Sequence, residues 1–120
     1  MKITAYEVRP DEEPVIRGLC DKYGIDVVIT RANLDETTVN LAEGSYGITT
    51  LGQSTYSNEV LDELNKMGVK VLASRCVGYN HMNVEYARKL GFKLCNGSYA
   101  PNGVAEYSVM AILMCMRHQK

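Results

Sequence analysis

The hydrophobic pattern of this chain switches repeatedly between short apolar runs and helical spacing, and glycines mark most of the switches. Residues 2–8 read as a strand carrying Ile3, Ala5 and Val8. Pro10-Asp11-Glu12-Glu13-Pro14 then opens a helix, with acidic residues in the first turn, where the backbone N–H groups lack partners. That helix places Val15, Ile16, Leu19 and Cys20 on one face and stops before Gly24, a suitable residue to follow a helix end. Residues 25–30 form a second strand. Its β-branched run Val27-Val28-Ile29 predicts a strand covered on both faces.

The cycle then repeats. A short helix over 35–42 is closed by Gly44 and followed by a strand over 46–51. Ser57 caps a helix carrying Val60, Leu61, Leu64 and Met67, which Gly68 ends. A strand over 69–73 follows. Asn83 starts a helix with Val84, Ala87 and Leu90 on its face, ended by Gly91, and residues 92–95 make a fifth strand. Asn102 caps a last helix reaching about Arg117. Five strands alternating with five helices predict an α/β fold: a five-stranded parallel sheet with helices on both faces. With right-handed crossovers, the simplest arrangement is flavodoxin-like, strand order 2-1-3-4-5.

From Val104 to Met116 the last helix is apolar on every side, broken mainly by Glu106 and Ser108. One sheet face covers only part of such a helix, so its other side is expected to meet a second domain or a second copy of the chain. The chain stops at Arg117-His118-Gln119-Lys120 with no turn or tail, which suggests a truncated protein.

Composition narrows the function. The 120 residues make one domain, without internal repeats or a linker. A net charge of −1 supplies no basic field for nucleic acid or anionic membrane. No apolar run approaches the roughly 18–20 residues that span a bilayer, and the opening Met1-Lys2-Ile3-Thr4 enters a strand pattern rather than a signal peptide. Cys20, Cys76, Cys95 and Cys115 lack metal-ligand spacing and read as reduced thiols in a cytoplasmic protein, with no metal site.

In open parallel sheets ligands bind beyond the carboxyl ends of the strands. Three loops there, residues 51–56, 74–81 and 96–102, combine glycines, amides, tyrosines and Arg75, a set suited to a small anion. No Gly-x-Gly-x-x-Gly or phosphate loop follows the first strand, where Glu7-Val8-Arg9-Pro10 stands instead, and no flavin loop is present. The skeleton of a nucleotide fold therefore lacks nucleotide-binding chemistry. Arg75 is either a carboxylate fork or a local salt-bridge and carbonyl contact. Cys76 reads as a small packing residue, and His81 as a helix-start or surface residue rather than a base. Tyr99 is the best side-chain ligand candidate, with packing over its loop as the alternative.

Ser74-Arg75-Cys76-Val77-Gly78-Tyr79-Asn80-His81-Met82-Asn83 resembles the Arg-x-x-Gly-[Tyr/Cys]-[Asp/Asn]-x-[Ile/Met]-[Asp/Asn] stretch of D-isomer-specific 2-hydroxyacid dehydrogenases. The run Asn96-Gly97-Ser98-Tyr99-Ala100-Pro101-Asn102-Gly103-Val104-Ala105-Glu106-Tyr107 is similar to that family's Tyr-Ser-Pro-x-[Ala/Ser]-[Ile/Val]-Ala-[Glu/Asp]-Tyr motif. The opening Met1-Lys2-Ile3-Thr4-Ala5-Tyr6 and Leu51-Gly52-Gln53 fit as well. The resemblance covers the whole chain and is strongest to the D-lactate dehydrogenase branch.

It implies that residues 1–120 are a substrate-binding domain fragment, and that an NAD-binding Rossmann domain, absent from this chain, would follow. The backbone N–H groups of Val77 and Gly78 would hold the carboxylate of a 2-oxoacid, with the Tyr99 hydroxyl assisting and Leu51 lining the side-chain pocket. The family's catalytic histidine, arginine and glutamate come later in sequence, so no catalytic residue and no cofactor site carries over here. The resemblance implies NAD and a 2-oxoacid such as pyruvate for the parent enzyme, and an inactive isolated chain; the apolar helix over 102–117 makes a homodimer the expected assembly. Departures at Cys76, where Asn or Ser is common, and Ala100, where Ser is usual, bear on substrate preference. The competing expectations are a free-standing interaction module that self-associates through its last helix and a flavodoxin-like signalling domain, which would need an acidic cluster or flavin loop.

Overall fold

A computed structural model describes residues 1–118; Gln119 and Lys120, the last two residues of the terminal run, lie outside the described residues. The strands are β1 (Lys2–Ala5), β2 (Asp26–Ile29), β3 (Gly47–Thr50), β4 (Val71–Ser74) and β5 (Lys93–Asn96). The helices are α1 (Glu13–Tyr23), α2 (Asn58–Lys66), α3 (Val84–Lys89) and α4 (Asn102–Met116). All strand pairs are parallel and the sheet order is β2-β1-β3-β4-β5, as the alternation predicts.

The expected caps form in two places. Ser57 accepts a hydrogen bond from the Val60 N–H at the start of α2, and Asn83 accepts one from Tyr86 at the start of α3. Gly24, Gly44, Gly68 and Gly91 all take positive φ, the conformation that lets the chain leave a helical turn toward the next strand. The helix expected over 35–42 shrinks to a 3₁₀ turn, Val39–Ala42. The Asp35 carboxylate accepts from the N–H groups of Thr37 and Thr38, and these local bonds compete with an α-helical start.

One face of the sheet carries the core. Tyr6, Ile48 and Leu72 pack with Val39 and Ala42 of the 3₁₀ turn, Val60, Leu61 and Leu64 of α2, and Ala87 of α3. The other face differs from expectation. Helix α1 turns Cys20 and Ile16 inward and leaves Val15 and Leu19 exposed, so the predicted apolar face is only half used. Strand β2 lies at the sheet edge, and Val27, Val28 and Ile29 are half-buried instead of covered on both sides. A shallow apolar hollow of about 200 Å³ over β1, β3 and β4 is lined by Ile3, Tyr46, Gly47, Val71 and Ala73.

Helix α4 overturns two expectations. Pro101, not Asn102, occupies the cap position, and no side chain caps the helix. The sheet covers no part of α4: none of its residues is buried. Apolar spacing reports that a helix is to be surrounded, but not by what. Because α4 projects, the radius of gyration is 17.0 Å, against about 14 Å for a compact chain of this length.

The core ought to respond to truncation at the central strand. Leu72 is fully buried there. Leu72→Ala is expected to cost about 2–5 kcal/mol, read as a shift in the urea unfolding midpoint; a midpoint unchanged within error contradicts this placement.

Candidate functional site

Parallel pairing brings the carboxyl ends of all five strands to one rim, and the three loops singled out above rise from β3, β4 and β5 there. Each is fixed by a different interaction.

The β3 loop, residues 51–56, is held by Glu7. Register pairs Ala5 with Thr49, so two residues beyond that pair Glu7 comes beside Leu51. Glu7 is buried and adopts φ 55°, a left-handed conformation that non-glycine residues seldom take. Its carboxylate accepts from the N–H groups of Leu51 (2.6 Å), Gln53 (3.1 Å) and Ser54 (2.6 Å), and from the Ser54 hydroxyl. The same hydroxyl accepts from Leu34 N–H at 2.7 Å. Burial raises the Glu7 carboxyl, but the Ser54 hydroxyl and the three N–H donors outweigh it and hold the group below the usual carboxylate range. Deeper in the loop, the buried Tyr56 hydroxyl bonds the Thr50 hydroxyl, and burial pushes the phenol well above its ordinary range.

The β4 loop is anchored by Arg75. Its Nη2 donates to the carbonyls of Tyr6 (2.9 Å) and Glu7 (3.0 Å) and reaches Glu12 at 3.5 Å. Of the two roles open to Arg75, the structure places it as a carbonyl contact with a weak ion pair. Cys76 Sγ lies 3.0 Å from both Ser74 Oγ and the Gly78 carbonyl, so the thiol packs inside the turn. Of the two places expected for His81, a helix start or the surface, it takes the first, two residues before the Asn83 cap of α3. It is half-buried, with its ring edge-on to Tyr56 at 5.6 Å and its carbonyl accepting from Tyr56 N–H.

The β5 loop ties down the turn itself. Gly97 N–H donates to the Cys76 carbonyl at 3.0 Å, and Asn96 Nδ2 donates to the Val77 carbonyl at 2.8 Å. A trans peptide directs its N–H opposite to its C=O, and the described residues contain no cis peptide bond. Both carbonyls are drawn to the β5 end, so the N–H groups of Val77 and Gly78 point away from it. Among the described residues neither N–H donates to any protein acceptor. Two adjacent free amides on one side of a turn form a cradle for an anion.

Of the three predicted site residues, Val77 and Gly78 are brought to this cradle. Tyr99 lies three residues beyond Asn96 on the adjoining loop, 61% exposed, with no hydrogen bond to its hydroxyl among the described residues. A neighbouring cleft of about 370 Å³ opens between this turn and α3, lined by Ser74, Tyr79, Met82, Leu94 and Asn96 among others, but Val77 and Gly78 do not line it. The described residues contain no grouping fit for a metal ion and no helix long and apolar enough to cross a membrane. Glu7 and Ser54 were not among the predicted residues. The signal was available in the strand order, which puts the end of β1 next to the loop leaving β3.

A 2-1-3-4-5 parallel sheet with three polar loops at the carboxyl-end rim defines a flavodoxin-like α/β domain. The family model for the D-isomer specific 2-hydroxyacid dehydrogenase catalytic domain matches residues 3–110, and the chain belongs to this family. It is 36% identical to an aromatic 2-oxoacid reductase of Clostridium sporogenes over 98% of this chain and 36% of that protein. It is 32% identical to a D-lactate dehydrogenase of Lactobacillus delbrueckii subsp. bulgaricus over 99% of this chain and 36% of that protein. A solved D-isomer specific 2-hydroxyacid dehydrogenase from the latter species, in its NAD-complexed form, superposes with a TM-score of 0.79 at 29% identity, over 95% of this chain and 35% of that one. The chain thus spans about a third of the length of these relatives.

The lowered Glu7 carboxyl has a signed consequence. Its folded value lies below the unfolded one, so its contribution to stability is complete above the unfolded value, about 4.3, and is lost as pH falls through the folded value. Unfolding midpoints measured from pH 6 downward should fall more steeply for the wild type than for Glu7→Gln below that point; parallel curves would contradict it.

Proposed function

We propose that this chain is the substrate-side part of an NAD-dependent D-2-hydroxyacid dehydrogenase of the D-lactate type, which reduces 2-oxoacids with pyruvate as the default. The observation that carries the reading is the pair of unpartnered N–H groups at Val77 and Gly78, whose carbonyls are tied back to the β5 end. A carboxylate is the complement of two parallel N–H donors. Val77 and Gly78 hold it, the exposed Tyr99 hydroxyl adds a third donor, and Leu51 with its neighbours flanks the substrate side chain.

The residues present do not fit a dinucleotide. In a sheet of this kind the phosphates would lie at the turn after the first strand, and here that turn is occupied by buried Glu7, already committed to the β3 loop. NAD therefore belongs to a following Rossmann domain, which also supplies the catalytic groups. This chain's residues bind and orient the 2-oxoacid and form one wall of a cleft from which water is excluded.

The exposed apolar surround of α4, with Val104, Tyr107, Ile112 and Leu113 all open to solvent, is the side expected against that domain or against a second copy in a homodimer. Four unpaired cysteines agree with a cytoplasmic setting.

Titration of the chain with oxamate, followed by amide NMR, tests the reading. Shifts concentrated at Val77, Gly78 and Tyr99 are expected, with weak affinity because one wall is present. The chain by itself should show no NADH oxidation with pyruvate. Oxamate shifts confined to other parts of the molecule would refute the site, and turnover by the chain alone would refute the division of labour.

A further inference from the structure

We propose that Glu7 is a positioning residue for the substrate: it sets the β3 loop against the Val77 and Gly78 cradle and thereby tunes which 2-oxoacid side chain is accepted. The inference rests on the proposed 2-oxoacid site. Three observations carry it. The Glu7 carboxylate collects four donors from Leu51, Gln53 and Ser54, so the whole turn of the loop is fastened to one side chain. The fastened loop abuts Cys76 and His81, beside the cradle. Gly52 takes φ 102°, and a Cβ there would come within 2.7 Å of Cys76 Sγ and 3.4 Å of His81 Cε1, so the Gly52 backbone lies directly against the residue that precedes Val77. Finally, the Glu7 carbonyl is held by Arg75, the residue before Cys76, at 3.0 Å. Side chain and main chain of one glutamate thus join the two loops that flank the cradle.

A carboxylate suits this place because every group facing it is a donor. Glutamine is nearly the same size but turns an NH₂ toward one or more N–H groups, leaving a donor facing a donor. The loop must then shift, and Leu51, which gives its N–H to Glu7, shifts with it. Small displacements of positioning groups have large effects on bound geometry. Ser54→Ala is the second probe: it removes one donor and leaves the carboxylate in place.

The experiment compares wild type, Glu7→Gln and Ser54→Ala of this chain by amide NMR, titrating each with pyruvate and with phenylpyruvate. For folded Glu7→Gln, the expected result is an affinity for pyruvate about tenfold weaker, the scale of one hydrogen bond to a charged group. A change in the phenylpyruvate-to-pyruvate affinity ratio, which general loosening would not produce, is expected in both variants. Wild-type affinities and an unchanged ratio in folded variants overturn the inference. If Glu7→Gln does not fold, Ser54→Ala decides by the same ratio. If the wild type binds neither 2-oxoacid, the functional reading has failed. The coupling is then judged in the free protein: amide shifts in the variants that reach Val77 and Gly78 support it, and shifts confined to residues 51–54 overturn it.

Discussion

In an extended strand successive carbonyls point to opposite sides, and so do successive N–H groups. The turn after β4 breaks that alternation. The Cys76 and Val77 carbonyls are both taken by the end of β5, one by a backbone N–H and one by the Asn96 amide. Their N–H counterparts must then share a side, and neither has a partner among the described residues. The rest of the rim serves to hold this turn still. Arg75 fixes its start, Cys76 fills its interior, and the β3 loop closes against its flank.

Burial of Glu7 belongs to the same arrangement. A buried carboxylate is costly unless its oxygens are satisfied, and here they are satisfied by the loop that has to be placed. The energy of solvating the charge internally is therefore coupled to loop geometry, and the left-handed φ of Glu7 persists because the surrounding bonds over-determine it. The site is made mainly of backbone groups, which explains how little of it depends on reactive side chains.

Much of this was legible in the sequence because it follows from periodicity and punctuation. The sheet order, the caps at Ser57 and Asn83, and the glycine turns each have a local cause. So did the meeting of the β4 and β5 loops at one rim, since parallel strands leave no other place for them. Three features were not legible in that way. Arg75 had two plausible partners, and only the folded backbone decides between a ligand and the Tyr6 and Glu7 carbonyls. Glu7 sits amid other acidic residues, and its burial depends on a neighbour 44 positions away. Helix α4 was expected to use one side on the sheet, and its exposure on all sides shows that apolar spacing does not identify the covering surface.

The proposed carboxylate site is the pair of Val77 and Gly78 amides, held outward by the β5 end. A crystal structure of the chain with oxamate tests it most directly. The oxamate carboxylate is expected within about 3.2 Å of both nitrogens, with the Cys76 and Val77 carbonyls still bonded to Gly97 and Asn96. A carboxylate bound elsewhere, or a turn whose carbonyls face the ligand, would contradict it.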